Sequence, residues 1–324
     1  MRLLVTGGAG YIGSVVAAQL LDAGHEVVVV DDLSTGHADA VPAGARLVKT
    51  SLLDAPALAE VVGGGLDGVL HFAAKSLVGE SVEHPERYWG NNVTGTLALL
   101  EAMLAAGVPR LVFSSTAAVY GEPERTPITE DAPTRPTSAY GASKLAVDAM
   151  IATFAQAHGL QATSLRYFNV AGASGRLGER HATETHLIPI VLQVAAGRRK
   201  HVQVYGTDYP THDGTAVRDY IHVEDLARAH LLALDNGRPG HHAVYNLGNG
   251  QGSTVCEVIE AARKVTGHPV PAVDAPRRAG DPAVLVASSR RIGDELGWRP
   301  AKPALEDMIG DAWAWLQGPG RGLA

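Results

Sequence analysis

A single cysteine, Cys256, stands in the 324 residues. It cannot close an internal disulfide, nothing like a Cys/His ligand cluster accompanies it, and the redox environment it predicts is a reducing cytoplasm. The fourteen histidines are scattered without a spacing such as His-Glu-x-x-His, so the sequence predicts no metal. Cations are not in surplus: 27 basic residues face 34 acidic ones, a formal charge of −7. That balance argues against neutralising a nucleic-acid backbone. Long apolar runs are missing too. MRLLVTGGAG offers only about four apolar residues before its glycines, short of the ~7 to 15 of a secretory leader, and no stretch approaches ~18. No membrane partner is expected, and no repeat or low-complexity block is visible.

What is present is an alternation of apolar runs and helical patterns. RLLVTG, HEVVVVDD, ARLVKT, GVLHFAA, RLVFSS and QATSLRYFN follow one another at about one helix length. Runs without polar alternation are covered on both faces, as in a parallel sheet between helices. The fold class this predicts is α/β, a Rossmann-type doubly wound parallel sheet with a smaller α/β substrate-binding lobe. The rhythm breaks in GRLGERHATETH, so the dinucleotide-binding domain is set at 1–172 and the second lobe at 173–324. IHVEDLARAHLLALDNG and HAVYNLG restore a helix and a strand pattern, which returns the chain to the first domain around 219–248. The length suits two cores, or one large domain with an appended lobe.

GGAGYIG places Gly7, Gly10 and Gly13 between the first strand and a helix. Such glycines serve a tight turn, backbone approach to a pyrophosphate, and close helix-to-strand packing, with the helix N-terminus facing the anion. Asp31 and Asp32 end the next strand, about 20 residues on, where a carboxylate accepts from a ribose 2′-hydroxyl and repels a 2′-phosphate. NAD is therefore expected as cofactor, rather than NADP.

SAYGASK, residues 138–144, sets Tyr140 four places before Lys144. On a helix the two lie ~40° apart and ~6 Å along the axis, facing one site. A phenol acting as a base near neutrality needs its pKa lowered by roughly three units, about 4 kcal/mol. An ammonium ~5 Å away at an effective dielectric of 20 would supply about 3 kcal/mol. FSSTAAVYG ends a strand and can bring the Thr116 hydroxyl to the same mouth, because ligands of a parallel sheet sit at the carboxyl ends of its strands. The catalytic group expected is Tyr140, Lys144 and Thr116.

With these segments in place, the chain resembles the extended short-chain dehydrogenase/reductase superfamily. HFAAKSLVGESV, NNVTGTL, RYFNVAGA, YGTDYPTHDGTAVRDYIHVEDLARAH and RRAGDPAVLVAS narrow the resemblance to the UDP-glucose 4-epimerase (UDP-galactose 4-epimerase) family. The resemblance implies reversible inversion at C4 of a UDP-sugar through a 4-keto intermediate, with NAD returned unchanged, in a cytoplasmic homodimer paired through helices near Asn92–Ala106 and Tyr140–His158. It implies cofactor contacts at Tyr11, Ile12, Asp31, Asp32, Leu33, Ser34, Thr35, Gly36, Ser51, Leu52, Phe72, Ala73, Ala74, Lys75, Ser76, Asn92, Tyr140, Lys144 and Phe168. It implies substrate contacts at Thr116, Tyr140, Asn169, His186, Leu187, Tyr205, Arg218, Arg278, Asp281 and Leu285. Arginines suit a diphosphate because their planar forks make paired, charge-assisted bonds.

This sequence departs from relatives in places. Ser51 replaces an aspartate, the HFA-segment lysine sits one place early as Lys75 before Ser76, and His186 replaces an asparagine. Leu285 matches a position that limits the sugar's C2 substituent; being neither tyrosine nor small, it leaves tolerance of N-acetylated sugars open. A nucleotide-sugar 4,6-dehydratase is the rival enzyme, but Ala117 and Ala118 follow Thr116 where such enzymes carry an acid. A catalytically silent NAD-binding regulator is the rival from another class.

Overall fold

The computed structural model describes residues 1–278 and 280–322. Six apolar runs fold as β1 (Arg2–Thr6), β2 (Glu26–Asp31), β3 (Arg46–Lys49), β4 (Gly68–His71), β5 (Arg110–Thr116) and β6 (Gln161–Tyr167). With the strand His242–Leu247 they make one seven-stranded sheet, ordered His242–Leu247, β6, β5, β4, β1, β2, β3. Every pairing in it is parallel, with Leu4 between Val28 and Val69. Leu3, Leu4, Val28, Val29, Leu70 and Val112 are buried because helices cover both faces. Each such side chain contributes roughly 1.5–3 kcal/mol on burial.

The strand order reverses beside β1, whose neighbours are β4 and β2, so the crevice for a ligand opens at the carboxyl ends of these strands. From β6 the chain enters the strand Asn169–Ala171 and then a second lobe. Val217–His222 pairs parallel with Asn169–Ala171, and the helix Val223–Asn236 packs against the helix Tyr11–Asp22 on one face of the large sheet. One pattern divides differently from its sequence reading. Ile221 and His222 of IHVEDLARAH belong to a strand, and the helix begins at Val223 because the His222 Nδ1 accepts from the Glu224 N–H at 3.1 Å.

The second lobe is built on the helices Leu187–Ala195, Val255–Thr266 and Leu305–Gln317, whose Ile188, Val191, Val258, Ile259, Met308 and Trp315 share one core. Thr254 and Glu257 form a reciprocal cap at the start of the middle helix. The Pro-rich stretch contributes the strand Ala272–Ala275, parallel to Val202–Tyr205. Among the described residues, no helix is long and apolar enough to cross a membrane.

Candidate active site

Between β1 and the helix Tyr11–Asp22 the chain turns at Gly7, whose φ of 70° is a left-handed conformation. The Gly7 N–H donates to the Val30 carbonyl at 2.8 Å, which ties the turn to β2. The helix that follows has no side-chain cap. With no side chain capping them, its leading N–H groups are available to an anion, and a diphosphate fits this loop on structural grounds.

Asp31 lies beside that loop, 8% exposed, accepting from the Ala9 N–H at 3.0 Å and the Leu33 N–H at 2.9 Å. Burial pushes its carboxyl up, and those two bonds pull it back. Leu33 holds a φ of 60°, so the segment from Asp32 through Ser34, Thr35 and Gly36 curls over the Asp31 carboxylate. Each oxygen keeps a further lone pair for a ribose hydroxyl. Ser51 accepts from the Leu53 N–H at 3.2 Å, and the Leu52 side chain is buried in the core, next to Gly95. From Leu52, only backbone is left to meet an adenine.

After β4, the loop through Phe72, Ala73, Ala74, Lys75 and Ser76 is held by Asn92. Its amide accepts from the Lys75 N–H at 2.8 Å and donates to the Lys75 carbonyl at 3.0 Å and the Ser143 hydroxyl at 3.1 Å. Asn92 sits in a widened π-turn over Trp89–Thr94, the local irregularity that marks many functional sites. Phe72 packs on the His230 ring at 4.8 Å. At the base of the loop His71 lies between the Thr6 and Thr96 hydroxyls, at 2.6 and 2.8 Å, and burial pulls it down to about 3, so it is neutral.

Ser138 caps the helix Ala139–His158, and Gly141 allows that helix to rest on the Ala118 carbonyl just past β5. This contact sets Tyr140 beside Thr116. Tyr140 is half-buried and packs edge-on to Tyr88, with 6.4 Å between ring centroids. Burial raises the phenol, and its hydrogen bond with Thr116 lowers it in part.

Lys144 lies one turn further along the same helix, Ala139–His158. Lys144 is 3% exposed, donates to the Ser114 carbonyl at 2.7 Å and lies 4.7 Å from the centroid of the Phe113 ring. Burial pulls its amine down to about 7, against the pull of the Asp148 carboxylate. Asp148 is itself held by Arg166 at 3.0 Å and by the Ser115 hydroxyl at 3.2 Å. Arg166 also donates to the Tyr120 hydroxyl at 2.9 Å. Sequence reading missed this buried network, as it missed Tyr167, whose hydroxyl lies 2.6 Å from His230 Nε2. Because His230 Nδ1 donates to the Leu226 carbonyl, the Tyr167 hydroxyl is the donor in that bond.

Across the crevice, the Arg218 guanidinium pairs with the Asp281 carboxylate, and Leu285 stands opposite Arg218 in a short parallel pairing. The Arg278 guanidinium stacks 3.9 Å from the centroid of the Tyr205 ring. The Tyr205 hydroxyl donates to Gln203. Asn169 pairs with Tyr220, and the Phe168 N–H donates to the Leu247 carbonyl at 3.1 Å. The structure thus gathers Arg218, Asp281 and Leu285 around one strand, and Arg278 with Tyr205 beside it. His186 and Leu187 begin another helix, Leu187–Ala195, where the His186 ring contacts Glu179 and Glu184. Tyr11 links the halves: its hydroxyl donates to the Gly172 carbonyl at 2.6 Å. Ile12, next in the glycine turn, packs against the core on one face of the large sheet.

A doubly wound dinucleotide fold with a helical Tyr/Lys pair and a strand-end threonine defines a nicotinamide-dependent enzyme of the short-chain dehydrogenase/reductase type. More narrowly, the chain belongs to the NAD dependent epimerase/dehydratase family, whose family model matches residues 3–248. A UDP-glucose 4-epimerase from Corynebacterium glutamicum is 59% identical over 321 residues, covering 99% of this chain and 97% of that protein. A crystal structure of a UDP-glucose 4-epimerase superposes with a TM-score of 0.96 at 49% identity, covering 100% of both chains. Another, from Stenotrophomonas maltophila with bound NAD and formylated UDP-arabinopyranose, superposes with a TM-score of 0.94 at 44% identity and covers 99% of both chains.

Proposed function

We propose that the chain interconverts UDP-glucose and UDP-galactose by reversible inversion at C4, through a 4-keto intermediate, with NAD regenerated in each turnover. The observation that carries this reading is the meeting of Tyr140 and Thr116 at the carboxyl end of β5. They share the crevice with the glycine turn after β1 and with Asp31. Relatives at this identity over the full chain support it.

The residues that hold NAD are Gly7, Gly10, Tyr11, Ile12 and Gly13 for the diphosphate, and Asp31 through Gly36 for the adenosine ribose. Ser51 and Leu52 flank the base, and Phe72 to Ser76, Asn92, Lys144 and Phe168 serve the remainder. NAD, when bound, supplies acceptor and donor for the C4 hydride. Tyr140 carries the proton between its phenol oxygen and the sugar's O4, and Thr116 orients both through its hydroxyl. Lys144, fixed on the Ser114 carbonyl, positions the cofactor side of the pocket. Asn169, His186, Leu187, Tyr205, Arg218, Arg278 and Asp281 hold the nucleotide. A firm grip on the diphosphate with few contacts to the sugar lets either face of the ketone be presented. Leu285 borders the sugar's C2 substituent, and comparing UDP-N-acetylglucosamine with UDP-glucose as substrates reads its tolerance.

Residues 1–172, with the return at 219–248, form the NAD-binding domain; residues 173–324 bind the nucleotide-sugar. Two copies pair through the helices Gly95–Ala106 and Ala139–His158. Leu97 and Leu104 on the first of these are exposed, as is the adjoining Trp89, which supports that face as the interface. The free thiol of Cys256 suits the reducing cytoplasm. The test is to incubate the protein with UDP-galactose and follow UDP-glucose by a coupled dehydrogenase. A stable 4-keto-6-deoxy product from incubation with UDP-glucose would indicate a dehydratase, and a blank UDP-galactose trace with NAD bound would indicate a silent regulator.

A further inference from the structure

The loop between the short strand Leu177–Gly178 and the helix Leu187–Ala195 brings Glu179, His181, Glu184 and His186 together, with one donor atom of each within 4.8 Å of the others. His181 Nδ1 lies 3.2 Å from Glu179 Oε1 and 3.4 Å from Glu184 Oε2. His186 Nδ1 lies 2.8 Å from Glu179 Oε1 and 2.9 Å from Glu184 Oε1. In a tetrahedral site with bonds of about 2.0–2.2 Å, adjacent donors stand roughly 3.3–3.5 Å apart. Two of the four separations are near that range, and the other two need a few tenths of an ångström.

We infer that these four residues form a binding site for one divalent transition-metal ion, with zinc as the ion best matched to two imidazole nitrogens and two carboxylate oxygens.

Three observations carry the assignment. The carboxylates are nearly removed from solvent, with side-chain exposures of 9% for Glu179 and 4% for Glu184, so their two negative charges require compensation in place. His181 Nδ1 is buried and makes no hydrogen bond of acceptable geometry, although two carboxylates flank it. Glu184 Oε1 also accepts from the Thr185 and His186 N–H groups at 2.8 and 2.7 Å, which fixes that carboxylate as outer-sphere bonds fix metal ligands.

The ion would be structural, with a reach into the binding cleft. Arg180, inside the loop, pairs with Asp39 at 3.1 Å, and its carbonyl contacts the His37 ring at 3.2 Å. One cavity is lined by Gly10, Tyr11, His37, Arg180 and His181 together. Binding therefore stiffens the loop that joins the two halves and sets His186 and Leu187. Coupling to nucleotide affinity rests on the substrate roles proposed for those two residues; the ion site does not.

The test is metal content of the full-length protein. The protein is stripped with dipicolinate, dialysed against micromolar zinc and measured by plasma mass spectrometry, alongside His181→Gln and Glu179→Gln. The expected result is about one zinc per chain in the native protein and at least a tenfold weaker affinity in each variant. Zinc should also raise the melting midpoint of the native chain and not of the variants. Fewer than about 0.1 equivalents in the native protein, or undiminished binding in both variants, would overturn the assignment. Should one variant fail to fold, the other and the native chain's zinc-dependent melting still decide. UDP titration of stripped and reloaded protein tests the coupling separately: equal affinities with one zinc bound would remove the coupling and keep the site.

Discussion

Gly10 and Gly13 should separate under the same substitution, because alanine meets different things at each. At Gly13 a Cβ would overlap the Gly7 carbonyl oxygen and stand 2.9 Å from both the Gly7 carbonyl carbon and the Gly8 Cα. All of these are backbone atoms, so no rotamer relieves the contact and the helix must lift from its strand. Overpacking of this kind costs about 1–3 kcal/mol, a melting midpoint lower by several degrees. At Gly10 a Cβ meets only the Gly7 oxygen, at 3.3 Å, and the backbone there is extended, which alanine adopts freely. Gly10→Ala should therefore melt within about a degree of the native chain when stripped of NAD. Its cost appears only where a diphosphate presses on the loop, as an NAD affinity reduced by roughly tenfold or more. Calorimetric melting without cofactor, together with NAD titration, measures both effects. A Gly10→Ala chain that binds NAD as the native one does would refute the placement of the diphosphate. A Gly13→Ala chain of native stability would refute the packing argument.

Asp148→Asn leaves the Arg166 cation, 7% exposed, without its partner 3.0 Å away. A loss of about 3–5 kcal/mol is expected in urea melts, with partial recovery in the Asp148→Asn/Arg166→Gln pair. Lys144 gives a pH signature. Its amine titrates at about 7 in the fold against 10.5 in the open chain, so between those values the unfolded state binds more protons. Stability from this residue rises as pH climbs through that window and is lost as pH falls through about 7. Thermal melts of Lys144→Met should therefore gain less than native melts between about pH 7 and pH 9; equal gains would count against the burial of the amine.

The large sheet was legible because its apolar runs carry no polar alternation and glycines punctuate the connections. The strand His242–Leu247 was visible in the same way, through HAVYNL and the glycine after it. Tyr140 and Thr116 were legible as neighbours because one sits in the first turn of a helix and the other at a strand end, and both ends open on the crevice. Helical spacing fixes the face on which Lys144 lies but not the end point of a long, flexible side chain. Its bond to Ser114 depends on how the helix docks on β5, which no local pattern encodes. The Asp148–Arg166 pair joins residues 18 apart on two different elements, and Tyr120, which accepts from Arg166, comes from further still. Glu179, His181, Glu184 and His186 match no familiar ligand spacing, and only the fold of their loop brings the rings and carboxylates together. The π-turn that presents Asn92 to Lys75 is likewise a matter of helix register rather than composition.

The most direct test of the account is Tyr140→Phe in protein loaded with NAD, read as turnover of UDP-galactose beside separate titrations of NAD and UDP. Removal of one hydroxyl leaves the ring packed on Tyr88 and deletes only the proton carrier. Turnover should fall by roughly 10²–10⁴-fold, while both affinities stay within about threefold of native. A Tyr140→Phe enzyme that keeps about a tenth of native turnover would contradict the assignment of the proton transfer to this phenol.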